Sequence, residues 1–183
     1  MSNKKIIISP ITISGLINLG IYVGTETIVC CKNNIIGFIE IPDSLKNLNC
    51  SSNLITSLDN LNSQLKILNC SGNNITHLDN LPTSLNKLNC SFNKINLLDF
   101  LPDGLEELIC GNNLISSLDN LPIGLKILSC ESNKIIEINN LPISLLELNF
   151  VGNNIKKIKS QLPNLLILNE HTYNIELKLL IKL

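Results

Sequence analysis

Apolar and polar positions recur along this chain with a fixed period. The pattern LxxLxCxxNxIxxLDNLPxS returns every 20 residues, as in the stretch LPTSLNKLNCSFNKINLLDF at 81–100. Shifting the sequence by that period superposes Leu48, Leu68, Leu88, Leu108, Leu128, Leu148 and Leu168. Within one unit Leu88 and Cys90 lie two apart, and Lys87, Asn89 and Ser91 alternate with them. Side chains of a strand point to opposite faces in turn, so this alternation predicts a half-buried strand with leucine and cysteine inward. A unit of this size cannot bury its apolar face alone, and neighbouring units stack to make a continuous core. The expected fold is one solenoid of parallel strands.

The phase is set from Thr25, and eight units start at 25, 45, 65, 85, 105, 125, 145 and 165, so the array spans 25–168 with its last unit degenerate. Each strand is followed by asparagine: Asn33, Asn53, Asn73, Asn93, Asn113, Asn133 and Asn153. Where the chain leaves the sheet its backbone groups lose their ladder partners, and a buried amide side chain, with two donors and one acceptor, can replace them. Asn53, Asn73, Asn93, Asn113, Asn133 and Asn153 are therefore expected to form a structural ladder. The following Asp-Asn-Leu-Pro favours a turn and an extended return. Twenty residues leave no room for a full helix, so extended chain or short turns should form the back.

The stretch LxxLxCxxN, followed by LPxSLxxL, resembles the short leucine-rich repeats of bacterial secreted effectors, and is similar to repeats of amoebae and large DNA viruses. The resemblance implies an α/β-type solenoid that is mainly β, a leucine-rich-repeat right-handed superhelix with a parallel sheet on its concave face. It also implies a protein-binding module without catalysis. Secreted effectors of this type often carry a ligase domain after the repeats; only about 15 residues follow the last repeat strand here.

An open solenoid end exposes unpaired backbone groups and bare core, so both ends need caps. Residues 1–24 hold a β-branched run split by Pro10 and are expected to form an N-terminal cap, as a strand or hairpin that Ile17, Leu19 and Ile21 help to close. Residues 169–183, ending in ELKLLIKL, are expected to form the second cap.

Composition narrows the function. The chain has no arginine, and its 14 lysines against 15 acidic residues give a net charge of −1 without a basic stripe, which disfavours nucleic acid as a partner. No apolar run is long enough for a membrane span or signal peptide, so a protein of an intracellular, reducing compartment is expected.

Six cysteines, Cys30, Cys50, Cys70, Cys90, Cys110 and Cys130, share one inward column continued by Phe150. A linear row of parallel side chains suits neither a tetrahedral metal site nor disulfide geometry, so they are expected to be free thiols packed as small hydrophobes. Cys31 falls in an outward column as an accessible thiol, with only Lys32 near it in sequence. Asp59, Asp79, Asp99 and Asp119 also stack, and turn capping is favoured over a calcium ladder, which needs further oxygen ligands. His77 and His171 are isolated, and no nucleophile, base and orienting group are assembled. No cofactor or metal is expected.

The strand face remains as the candidate site. Its outward columns place Asn47, Ile67, Lys87, Glu107 and Ile127 in one row and Asn49, Asn69, Asn89, Ile109 and Ser129 in the next. Glu131 belongs to a third row, and Phe92 is the aromatic residue at a strand end. An anchor surrounded by adaptable polar groups is a plausible hot spot for a protein partner. A monomer is favoured, with a self-associating structural protein as the alternative and a thiol-dependent enzyme using Cys31 as a remote one.

Overall fold

A computed structural model describes residues 4–8 and 15–169. Three-residue strands of the repeats stack into one parallel sheet: β3 (Thr27–Val29), β5 (Asn47–Asn49), β6 (Ile67–Asn69), β7 (Lys87–Asn89), β8 (Glu107–Ile109), β9 (Ile127–Ser129), β11 (Glu147–Asn149) and β13 (Ile167–Asn169). Neighbours pair residue for residue one period apart, so Leu48, Leu68 and Leu88 sit side by side. The leucine columns therefore become continuous in space because the register equals the period.

The sheet holds nine strands among the described residues, one more than the repeat predicts. β1 (Lys5–Ile7) pairs with β3 in parallel, Ile6 opposite Ile28. It extends the sheet and is not half of a hairpin. β2 (Gly15–Asn18) pairs in parallel with β4 (Ile35–Glu40) in a separate sheet, and the segment thus follows the course of a repeat despite lacking its sequence. Leu19 is fully buried and Ile17 packs on the core, whereas Ile21 is exposed. The cap expected at 169–183 lies outside the described residues apart from Asn169.

The core is one cluster running the length of the solenoid. Leu65, Leu85 and Leu105 enter before the strands, Leu68, Leu88 and Leu108 from them, and Ile75, Ile95 and Ile115 after them, all almost fully buried. The back carries no helix among the described residues; besides β2 and β4, a short pair forms from β10 (Glu137–Ile138) and β12 (Lys157–Ile158). The proline segment is a tight turn: the Leu85 N–H donates to Pro82 O at 3.0 Å, and Leu105 repeats this with Pro102. The serine of LPxS ties turns together, Ser84 Oγ donating to Leu65 O at 2.6 Å and Ser144 Oγ to Leu125 O at 2.6 Å.

Two positions of the unit take left-handed backbone. The residue before each ladder asparagine does so throughout, as in Ser52, Gly72, Phe92, Asn112, Ser132 and Gly152, and Asn60, Asn80 and Phe100 do so after the aspartate. Glycine and asparagine tolerate this conformation, but a bulky side chain is strained in it. Phe100 is 78% exposed, so its ring has little burial to lose. Phe100→Asn is accordingly expected to raise stability by about 1 kcal/mol in urea denaturation. Its amide would face the Asp79 carboxylate as Asn80 faces Asp59 and Asn120 faces Asp99. An unchanged or lower midpoint would show that the Phe100 ring contributes packing that outweighs its backbone strain.

Candidate protein-binding face

The ladder asparagines define the seam that holds the strand ends. Asn53 is buried, and its Oδ1 accepts hydrogen bonds from the N–H groups of Asn33 and Ile35 on the preceding turn at 2.9 and 3.0 Å. Its Nδ2 donates to Cys30 O on that turn and to Cys50 O on its own, at 3.0 and 2.9 Å. Asn73, Asn93, Asn113, Asn133 and Asn153 each repeat the donation to both turns. Each amide thus bridges two turns, which is why no shorter or purely accepting side chain serves.

Behind the ladder, the six inward cysteines are free and buried. Burial pushes the thiols of Cys90 and Cys130 up to about 12, and Cys30, where Cys31 adds to the effect, also to about 12. Burial, reinforced by neighbouring thiols, holds Cys50, Cys70 and Cys110 well above their ordinary value. These are neutral packing groups, with Cys50 and Cys70 directing Sγ at the carbonyls of Asn69 and Asn89. Cys31 is half-buried. Asp59 and Asp99 accept hydrogen bonds from the next turn's asparagines. His77 is exposed. Among the described residues no group of three histidine, cysteine, aspartate or glutamate side chains is placed to hold a metal ion, and no helix is long and apolar enough to cross a membrane.

The outward face of the long sheet brings the remaining candidates together. Asn47, Ile67, Lys87, Glu107 and Ile127 occupy one row in register, and Asn49, Asn69, Asn89, Ile109 and Ser129 the next. Their side chains are half-buried except for the exposed Ile67 and Lys87. Asparagines of the second row turn back on the chain: Asn49, Asn69 and Asn89 each accept from the N–H two residues on at 3.1 Å. Lys87 and Glu107 meet at 2.7 Å across neighbouring strands, and that hydrogen bond, with the attraction of the Glu107 charge, holds the ammonium above its ordinary range. An exposed pair of this kind adds little stability. Phe92 stands 62% exposed at the end of its strand, at φ 55°.

Two residues of the third row were not singled out from sequence: Ser91, buried with an unpartnered hydroxyl, and Gly111, which the Glu131 carboxylate overlies. The break of the serine column at Gly111 and Glu131 is the signal that marks them in the sequence.

This is a leucine-rich-repeat solenoid, with 20-residue turns like those of bacterial effector proteins. Among solved structures it is similar to YopM from Yersinia enterocolitica, at 28% identity and a TM-score of 0.67 over 80% of this chain and 40% of that one. It is similar also to the leucine-rich-repeat domain of a Shigella effector, at 32% identity and a TM-score of 0.58 over 63% of this chain and 53% of that one. A third is the functional domain of InlJ from Listeria monocytogenes, which includes a cysteine ladder, at 26% identity and a TM-score of 0.54, covering 80% of this chain and 48% of that one. The chain thus spans about half or less of the length of these proteins. No family model matches the chain. No curated protein matches it.

Proposed function

We propose that the protein is a non-catalytic module that binds another protein along its concave strand face, centred on Asn69, Asn89, Ile109, Ile127 and Phe92. The observation that carries this reading is Phe92. The other turns place serine, glycine, asparagine or lysine at this left-handed position. An exposed phenylalanine there bears backbone strain without the compensation of burial; Phe100 does the same after its aspartate, so what singles out Phe92 is its place at the end of a strand beside the outward columns. Around it lie half-buried amides and the apolar points Ile67, Ile109 and Ile127, an anchor with a polar surround. The likeness to effector leucine-rich repeats supports an interaction module.

The test compares the wild-type chain with the double variant Phe92→Asp, Asn89→Lys as bait in a reducing lysate, after melting curves show both folded. A partner held by the wild type should be lost from the variant, since a central aromatic anchor typically accounts for about 2 kcal/mol or more of binding. Equal capture by both would remove the concave face from consideration. Oligomers of the bait with no other protein retained would favour self-association.

A further inference from the structure

The bend between the back of the solenoid and its strands changes character over the last described turns. In one column Asp59, Asp79, Asp99 and Asp119 are followed by Asn139 and then Lys159. In the column after the proline, Asp43, Ser63, Thr83 and Asp103 give way to Ile123 and Ile143. Acid and hydroxyl are thus exchanged for amide, ammonium and aliphatic side chains on adjoining turns. These residues meet in one open cleft of about 440 Å³, lined by Ile123, Asn139, Asn140, Ile143, Lys159 and Gln161.

Ile123 is 82% exposed, the highest value of any large apolar side chain among the described residues, and Ile143 is 63% exposed. Single exposed apolar residues are ordinary, but two on adjoining turns of one cleft make a contiguous apolar surface. Their loops are tied to the next turn. Ser144 Oγ, bonded to Leu125 O, shares its proton with Ile123 O at 2.7 Å, and Asn164 Nδ2 donates to Ile143 O at 2.9 Å. The Leu141 N–H donates to Ser160 Oγ at 2.9 Å. The cleft is therefore preformed, and a ligand does not have to order it.

Charge completes the picture. Lys134, Lys156, Lys157 and Lys159 stand exposed on the two turns that carry Asn139 and Lys159, and none is ion-paired among the described residues. Glu137, opposite Lys157 in the β10–β12 pair, offsets one of the four. A bare polyanion such as nucleic acid would use the lysines and leave the isoleucines in water. A wholly apolar ligand would desolvate Lys159 without pairing it. A divalent cation meets no carboxylate in the cleft. An extended segment alternating aliphatic and acidic residues satisfies both features, through apolar contact and complementary charge.

We propose that this cleft, outside the strand face, is a second docking site, for an acidic and aliphatic segment of a partner protein. Aliphatic side chains of the segment pack on Ile123 and Ile143, and a neighbouring carboxylate pairs with Lys159. The site does not depend on the concave-face reading.

The probe is the blocked peptide acetyl-Gly-Leu-Asp-Leu-Glu-Gly-amide, titrated to millimolar concentration into the full chain and followed by amide resonances. Saturable shifts centred on Ile123, Asn139, Asn140, Ile143 and Gln161 are expected. A peptide with serine for both leucines, and one with lysine for both acids, should each bind about tenfold more weakly or not at all. Lys159→Glu and the double variant Ile123→Ser, Ile143→Ser should each weaken binding about tenfold. Both change exposed side chains, so the rest of the spectrum should stay as in the wild type. The Phe92→Asp, Asn89→Lys variant should bind the peptide as the wild type does. Absent or scattered shifts, equal binding of the serine peptide, or unchanged affinity in Lys159→Glu would overturn the proposal. Loss of binding in the concave variant would overturn it by placing the peptide on the strand face. Shifts of the same residues by phosphatidylserine-containing vesicles, without shifts by the peptide, would overturn it in favour of an anionic membrane surface.

Discussion

Raising the pH from 8 to 11 is expected to unfold this protein, and to do so through its core rather than its surface. Six thiols of one column, Cys30, Cys50, Cys70, Cys90, Cys110 and Cys130, are held above the ordinary value of 9.0 chiefly by burial. The folded state therefore keeps its protons where the unfolded chain releases them. For such raised groups the stabilisation is whole below the unfolded pKa near 9 and drains away as pH climbs toward the folded values, about 12 for Cys30, Cys90 and Cys130. Each thiol contributes about 1.4 kcal/mol per pH unit in that window. Six together give a slope of roughly 8 kcal/mol per pH unit, enough to consume the stability of an ordinary domain by about pH 10.5. Urea midpoints measured under reductant at pH 8, 9, 10 and 10.5 check this. Cys90→Ala should make the slope shallower by about 1.4 kcal/mol per pH unit, whatever the cavity costs at neutral pH. Flat stability up to pH 11 would mean that the column is open to water.

Asn93→Ala should lower stability by about 3 kcal/mol, because it strands groups on two turns at once. The Asn93 Oδ1 accepts the Ile75 N–H at 2.9 Å, and its Nδ2 donates to Cys70 O at 3.1 Å and Cys90 O at 3.0 Å. All of these groups are buried with the ladder, so water cannot replace the amide without opening the seam. A solenoid is stable through contacts between neighbouring turns, and Asn93 sits mid-array, so its loss should also broaden the urea transition. Asn89→Ala provides the contrast four residues away. Its amide is half-buried on the strand face and accepts one backbone N–H at 3.1 Å, so its removal should cost under about 1 kcal/mol. Equal losses at the two positions would mean that the ladder is not the seam.

The repeat made most of the solenoid legible. Period and alternation alone place Leu88 and Cys90 inward, Asn93 at the strand exit and Lys87 and Asn89 outward, because register between turns equals sequence period and every turn repeats the same burial. The serine of LPxSL was visible without its role, since its partner, Leu65 O for Ser84, lies on another turn and no local rule points to it. The ninth strand was legible only as an apolar run. Lys5–Ile7 shares no repeat columns with its neighbour, and its parallel course is dictated by the open edge of β3, which it completes.

For the candidate site the division falls elsewhere. From sequence alone one can list which residues face outward on the strands, because a period of two leaves them nowhere else. What those residues do to one another depended on the stacking of turns. Only there does a glutamate lie 20 residues from a glycine in sequence and directly above it in space, leaving Ser91 with a buried hydroxyl and no partner. The same holds for the strain at Phe92, which is an ordinary phenylalanine in the sequence and a left-handed, exposed one in the fold. Strand, core and ladder follow from patterns that every unit repeats. The single exceptions, where one turn differs from its neighbours, acquire meaning only when the neighbours are packed beside them.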